Sequence, residues 1–155
     1  MSKTIKSTIS YKELTQVLNE EAVNLSNFVL SQRQLCDLEL ILNGAFSPLN
    51  GFMNKNNYDS VLKNMRLIDG TLWPIPICLD INKNNIDLFK LKQKSKIALR
   101  DKEGFLIAIM TIKDIWKVDR AKEAESVYNT TDTTHPGVKY LFNNTKDYYI
   151  GGKLQ

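Results

Sequence analysis

Between Phe105 and Ile115 the chain carries apolar side chains on both faces of a strand pattern: Phe105, Ile107 and Ile109 alternate with Leu106, Ala108, Met110 and Ile112. Successive residues of a strand point to opposite sides, so a sheet with one wet face would leave one of these rows in water. Two-sided burial calls for a closed or wrapped β structure. Ser95 to Arg100 and the turn Asp101-Lys102-Glu103-Gly104 precede the run, and together they predict a β-hairpin.

A second strand pattern runs through Trp73, Ile75, Ile77, Leu79 and Ile81, each separated from the next by one residue. Pro74 and Pro76 interrupt it. Their missing donors fall on the same side of an extended chain, so this strand belongs at a sheet margin or a barrel opening.

Helices are expected before and between these strands. Leu14, Val17 and Leu18 recur at helical spacing within residues 10–30, followed by Glu20, Glu21 and an apolar patch around Phe28; residues 1–9 are expected to be loose. Ser31 and Gln34 form a capping box ahead of a Leu35, Leu38, Leu42 stripe, and Gly44 supplies the stop. Phe46 to Phe52 reads as a tight loop with two aromatic anchors, in which Pro48 fixes one angle and Gly51 permits a positive one. Tyr58, Val61, Leu62 and Met65 mark a helix starting near residues 54–57, and Asp69-Gly70 marks a turn. Asp119 caps a helix holding Ala121, Ala124, Val127 and Tyr128, residues 129–137 are irregular, and Val138 to Phe142 make a helical turn. Tyr148 to Ile150 is strand-like and runs into Gly151-Gly152, which reads as a domain boundary.

With 155 residues, 43% hydrophobic and 25% charged, the chain is expected to form one soluble domain over residues 1–155. No apolar run approaches the roughly 20 residues that span a bilayer, and the opening lacks a signal-peptide pattern, so the expected location is the cytoplasm. Cys36 and Cys78 have no metal-ligand spacing and read as small core hydrophobes. Residues 51–100 hold nine Lys or Arg against four Asp or Glu. Lys90, Lys92, Lys94 and Lys96 would share a face if extended, either as a solvated edge or as a stripe meeting phosphates.

Chemistry is sparse. His135 is the sole histidine, no phosphate-binding glycine loop occurs, and the acidic pairs Glu20/Glu21 and Asp37/Glu39 suit ordinary helix surfaces. No residue is assigned a catalytic, cofactor-binding or metal-binding role. His135, ahead of Pro136-Gly137, is read as setting a turn rather than orienting a substrate.

The run from Leu35 through Asn43-Gly44-Ala45-Phe46-Ser47-Pro48-Leu49-Asn50-Gly51-Phe52-Met53 resembles a signature of the ATP sulfurylases (sulfate adenylyltransferases). Three further segments come in that family's order: Asn64 to Ile77, Ala98 to Gly104 with Asp114-Ile115-Trp116, and Val127 to Thr130 running to His135-Pro136-Gly137-Val138. Ala45 and Asn129 stand where glycine is common in the family, and Val118 where proline is common.

The resemblance implies an α+β fold, a PUA-like β pseudo-barrel with flanking amino-terminal helices. The family transfers an adenylyl group from ATP to sulfate, yielding adenosine 5′-phosphosulfate and pyrophosphate, with magnesium on the nucleotide. Two anions must be oriented and their charge offset. In the family a Gln-x-Arg-Asn motif and a histidine pair of the following α/β catalytic domain do this, and neither occurs in this sequence. The implied role is therefore a non-catalytic amino-terminal domain, with no cofactor of its own, that packs on the catalytic domain of the same protein and supports a homo-oligomer; Mg-ATP and sulfate belong to the catalytic domain. An exposed apolar patch including Phe46, Phe52 or Trp73 would mark that contact. The alternatives are an RNA-binding PUA-like module using the Lys90 to Lys96 stripe, and a regulatory anion site drawing on Arg66, Arg100 or His135. The lysine stripe lacks interleaved stacking aromatics, which makes nucleic acid the weaker reading.

Overall fold

In a computed structural model, which describes residues 11–155, the two-sided apolar run is strand β4 of a five-stranded sheet. The strands are β1 (Ser26–Val29), β2 (Leu79–Ile81), β3 (Lys96–Arg100), β4 (Leu106–Lys117) and β5 (Tyr148–Leu154), ordered β1-β3-β4-β5-β2. β1 runs parallel to β3 and the other pairs are antiparallel. The sheet curls into a half-barrel, and with six helices among the described residues the fold is α+β, as expected. The expectation for residues 1–9 lies outside the described residues.

β4 is central, and its two faces bury in different places. Ala108, Met110 and Ile112 enter the main core with Leu38, Met53, Leu79, Leu99 and Ile150. Ile109 faces the other way, onto Ala22 and Ala98 beneath helix α1 (Tyr11–Ala22). Phe105 falls outside the strand and is largely exposed. The predicted hairpin is present, with Arg100 paired to Leu106 across a turn in which Gly104 takes a φ of 91°.

Several boundaries differ from the pattern in the sequence. Phe28 lies in β1, not in a helix: α1 ends in a turn, with Asn24 and Leu25 N–H donating to Glu21 and Ala22 carbonyls, and Phe28 then pairs with Leu99. The run from Trp73 to Ile81 contracts to three strand residues at the sheet margin. The margin is where the prolines place it, and their missing donors are why the regular strand is so short. Residues 136–144 form a full helix, α6 (Pro136–Asn144), because proline at its first position suits helical φ and His135 caps it.

Helix α2 (Gln32–Leu42) carries the capping box: Ser31 Oγ accepts from Gln34 N–H at 3.3 Å, and Gln34 Oε1 accepts from Ser31 N–H at 2.9 Å. Its buried stripe is Gln34, Leu38 and Ile41, while Leu42 points outward and Cys36 is exposed rather than in the core. Helix α3 (Lys55–Asn64) is capped by Asn54 and stops at Met65, whose φ of 54° ends the helix. Helix α5 (Arg120–Tyr128) starts at Asp119 as expected and ends at Asn129, also at φ 54°, a conformation that asparagine tolerates in place of glycine.

Gly151-Gly152 lies inside the regular strand β5, flanked by β4 on one side. On the other side β5 meets β2 and then the Asn50–Met53 segment, to which Gly152 and Leu154 donate backbone hydrogen bonds of 3.1 Å. Gly51 has no positive φ; it is needed because a side chain there would overlap the Gly152 carbonyl.

Candidate functional site

Glu123 occupies the first turn of α5, where a carboxylate ordinarily faces water near the helix dipole. Here it is 7% exposed. Asp119, the N-cap, accepts from Lys122 N–H at 3.0 Å and fixes the first turn, which directs the next residue inward. Tyr58 of α3 donates its hydroxyl to Glu123 Oε2 at 2.8 Å, and Tyr149 of β5 donates to Oε1 at 3.3 Å. The two rings pack with Trp116 of β4, with centroids 5.4 to 5.9 Å apart. One carboxylate thereby ties together α3, α5 and the sheet.

Beside it lies a polar cleft of about 30 Å³ lined by Arg33, Cys78, Glu123, Tyr140, Thr145 and Tyr149, among others. It has room for about one water molecule and none for a nucleotide. Arg33 lies over the Tyr140 ring at 4.6 Å and is 3.9 Å from Asp37.

Burial is the largest cause of the upward shifts of Glu123, Tyr58, Tyr149, Cys78 and Asp37. It pushes the Glu123 carboxyl above its ordinary value against the two phenol hydrogen bonds, which favour the anion. Burial and then the Glu123 carboxylate push both Tyr58 and Tyr149 upward, so neither phenol ionises near neutrality. The Cys78 thiol is pushed well up by burial, which leaves it protonated and a poor nucleophile. Asp37 is raised by burial, with Arg33 opposing. Held hydrogen bonds, not proton traffic, are what this arrangement provides.

The candidates drawn from the sequence fall elsewhere. Arg66 Nη1 donates to the Gly70 carbonyl at 3.0 Å, bracing its own turn. Arg100 is held by Asn27 Oδ1 and the Gly104 carbonyl. His135 Nδ1 accepts from Gly137 N–H at 3.2 Å as the cap of α6, and its ring packs on Tyr128. Each is taken by a local partner, and no shared site joins the three. Lys90 to Lys96 do not form one extended face: helix α4 (Lys83–Leu88) precedes them, Lys90 and Lys94 have φ of 50° and 70°, and Lys96 pairs with Glu21. Of the acidic pairs, Glu20 accepts from Gln16 within α1 and Asp37 faces Arg33 within α2. Among the described residues no group of three His, Cys, Asp or Glu could hold a metal ion, and no helix is long and apolar enough to cross a membrane.

Phe52 is buried and Phe46 packs edge-on to Trp73 at 5.7 Å, so these three do not form the anticipated exposed apolar patch. Exposed aliphatic side chains on the segment between α3 and β2 are Met65, Ile68, Leu72 and Ile75. Sequence reasoning missed both these exposed side chains and the burial of Glu123. A first-turn acid and scattered aliphatics on a loop carry no periodic signal that marks burial or exposure.

A family model described as a PUA-like domain matches residues 1–155. The chain is 51% identical over 139 residues to a sulfate adenylyltransferase of Aspergillus fumigatus and 48% identical over 139 residues to one of Mycosarcoma maydis, in each case 89% of this chain and 24% of the relative. A sulfate adenylyltransferase of Schizosaccharomyces pombe is 49% identical over 144 residues, 92% of this chain and 29% of the relative. The chain thus spans about a quarter of the length of the curated relatives it matches, in their amino-terminal region. Among solved structures, a hexameric APS kinase from Thiobacillus denitrificans superposes with a TM-score of 0.68 at 29% identity, over 92% of this chain and 23% of that one. With residues 1–155 matched and the curled α+β sheet in place, the chain belongs to the PUA-like domain family and is similar to the amino-terminal region of fungal sulfate adenylyltransferases.

Proposed function

We propose that this chain is the non-catalytic amino-terminal domain of a sulfate adenylyltransferase, a single unit over residues 1–155 whose work is to pack against the catalytic domain and support its oligomer. The observation that carries the proposal is the identity of about half over 89% of this chain to only a quarter of each fungal relative. In this reading ATP, magnesium and sulfate are bound by the rest of the protein, in the cytoplasm. Within the chain, the cleft at Glu123 is too small for a nucleotide and its acid is committed to two tyrosines. The exposed side chains Met65, Ile68, Leu72 and Ile75 are of the kind that a neighbouring domain covers. The superposable APS kinase is hexameric, which agrees with an oligomeric parent.

The test is to read the source gene beyond the codon for Gln155 and to assay the chain with and without the downstream region. A downstream frame with Gln-x-Arg-Asn and a histidine pair, adenylyl transfer only when that region is present, and a complex between the two parts are the expected results. A stop codon, or adenylyl transfer by this chain alone, would overturn the proposal.

A further inference from the structure

The face of the sheet around the β4 bulge carries an unassigned groove of about 740 Å³, lined by Lys94, Ile112, Lys113, Asp114, Lys153 and Leu154 among others. Its size is that of a ligand or peptide cleft. The strand register explains how three lysines meet there. Thr111 pairs with Lys153, and the register then shifts between Ile112 and Asp114, so Lys113 belongs to a bulge. Bulges re-aim side chains out of a strand's alternation. Lys94 is locked in a left-handed conformation, φ 70°, by donating its N–H to the Ile112 carbonyl at 2.8 Å.

All three lysines are exposed, and none ion-pairs with a described residue. Lys96, one step away across the sheet, is by contrast neutralised by Glu21. The one acid in the groove, Asp114, accepts from Lys55 N–H at 3.1 Å at the start of α3. Three like charges in one concavity repel one another and favour a negative occupant. Ile112 and Leu154 add an aliphatic wall, and no aromatic side chain lines the groove. Bases would have nothing to stack on, which sets this site apart from single-stranded nucleic-acid surfaces. Lys113 and Lys153 also line a second groove of about 540 Å³, where the Asn54 and Asn57 side-chain oxygens already accept from the Asn57 and Ile68 N–H groups.

We propose that this groove docks a Glu- or Asp-rich polypeptide segment of a partner protein, with Lys94, Lys113 and Lys153 as its charge contacts. The inference does not depend on the parent being a sulfate adenylyltransferase. The experiment is calorimetric titration of the 155-residue chain with the synthetic peptide acetyl-Glu-Glu-Leu-Asp-Glu-Leu-Glu-Glu-amide, with an oligouridylate and pyrophosphate as comparison anions. Saturable peptide binding is expected, weakening by about tenfold or more as salt rises from roughly 50 to 300 mM. Combined Lys94→Gln, Lys113→Gln and Lys153→Gln should weaken it by about tenfold, and the matched arginine substitutions should restore it to within about twofold. A control with Lys63→Gln, Lys102→Gln and Lys117→Gln should bind like the wild type. No saturable peptide binding, equal loss in the control, or tighter binding of the oligouridylate or pyrophosphate than of the peptide would overturn the proposal.

Discussion

Gly51 and Gly152 meet backbone to backbone: a Cβ on Gly51 would overlap the Gly152 carbonyl oxygen, and the Gly152 N–H donates to the neighbouring Phe52 carbonyl at 3.1 Å. The loop after α2 thereby continues the margin of the sheet beyond β2. Backbone on both sides leaves no flexible side chain to move aside. Gly51→Ala should therefore cost about 3 kcal/mol or prevent folding. Gly104→Ala, which faces open space and suffers only its φ of 91°, should cost about 1 kcal/mol. Urea unfolding of the two variants checks the contrast, and equal losses would refute the close-approach account.

Glu123 should leave a signature in the pH dependence of stability. Its folded-state pKa is raised by burial above the ordinary 4.5, so the folded protein holds its proton to higher pH than the unfolded chain does. The contribution is fully present below about 4.5 and is lost as pH rises through the folded value. Glu123→Gln removes this titration, and its unfolding free energy should be flatter than that of the wild type from mildly acidic to neutral pH. Glu123→Ala leaves two buried phenols without their acceptor and should cost about 2–4 kcal/mol. Chemical denaturation at a series of pH values measures both.

The two halves of the capping box at α2 should differ in weight. Ser31→Ala removes one cap hydrogen bond and should cost about 1 kcal/mol. Gln34 also donates to Asp80, to the carbonyl at 3.0 Å and to Oδ1 at 2.6 Å, and is buried. Gln34→Ala should therefore cost about 2–3 kcal/mol, because buried partners are left unpaired. Thermal unfolding of both variants decides the order.

Ile68 and Leu72 are 61% and 62% exposed, so Ile68→Ser and Leu72→Ser should change the stability of the chain by no more than about 0.5 kcal/mol. If a catalytic domain covers them, the same changes should weaken its association by about tenfold or more. Unfolding and sedimentation of the paired parts separate the two effects. Stability losses above about 1 kcal/mol would place these residues in the core instead.

What the sequence alone determined was local chemistry. The Ser31–Gln34 box, the Asp119 cap, the Asp101 to Gly104 turn and the two-sided apolar run of β4 each depend on neighbours a few residues away or on a simple alternation, and each is present. Pro74 and Pro76 located a sheet margin for the same reason, since a missing donor is a property of the residue.

Only the tertiary structure decided the rest, because the deciding partner is distant in the chain. Phe28 became a strand residue by pairing with Leu99. Gly151-Gly152 is held in a strand against residues 50–53, more than ninety residues earlier in the chain. Glu123 is buried by Tyr58 and Tyr149, 65 and 26 residues away. Lys94, Lys113 and Lys153 form one groove through strand register and a bulge. Local free energies of capping and turn formation are written along the chain; burial and charge clustering arise only when separated segments are packed against one another.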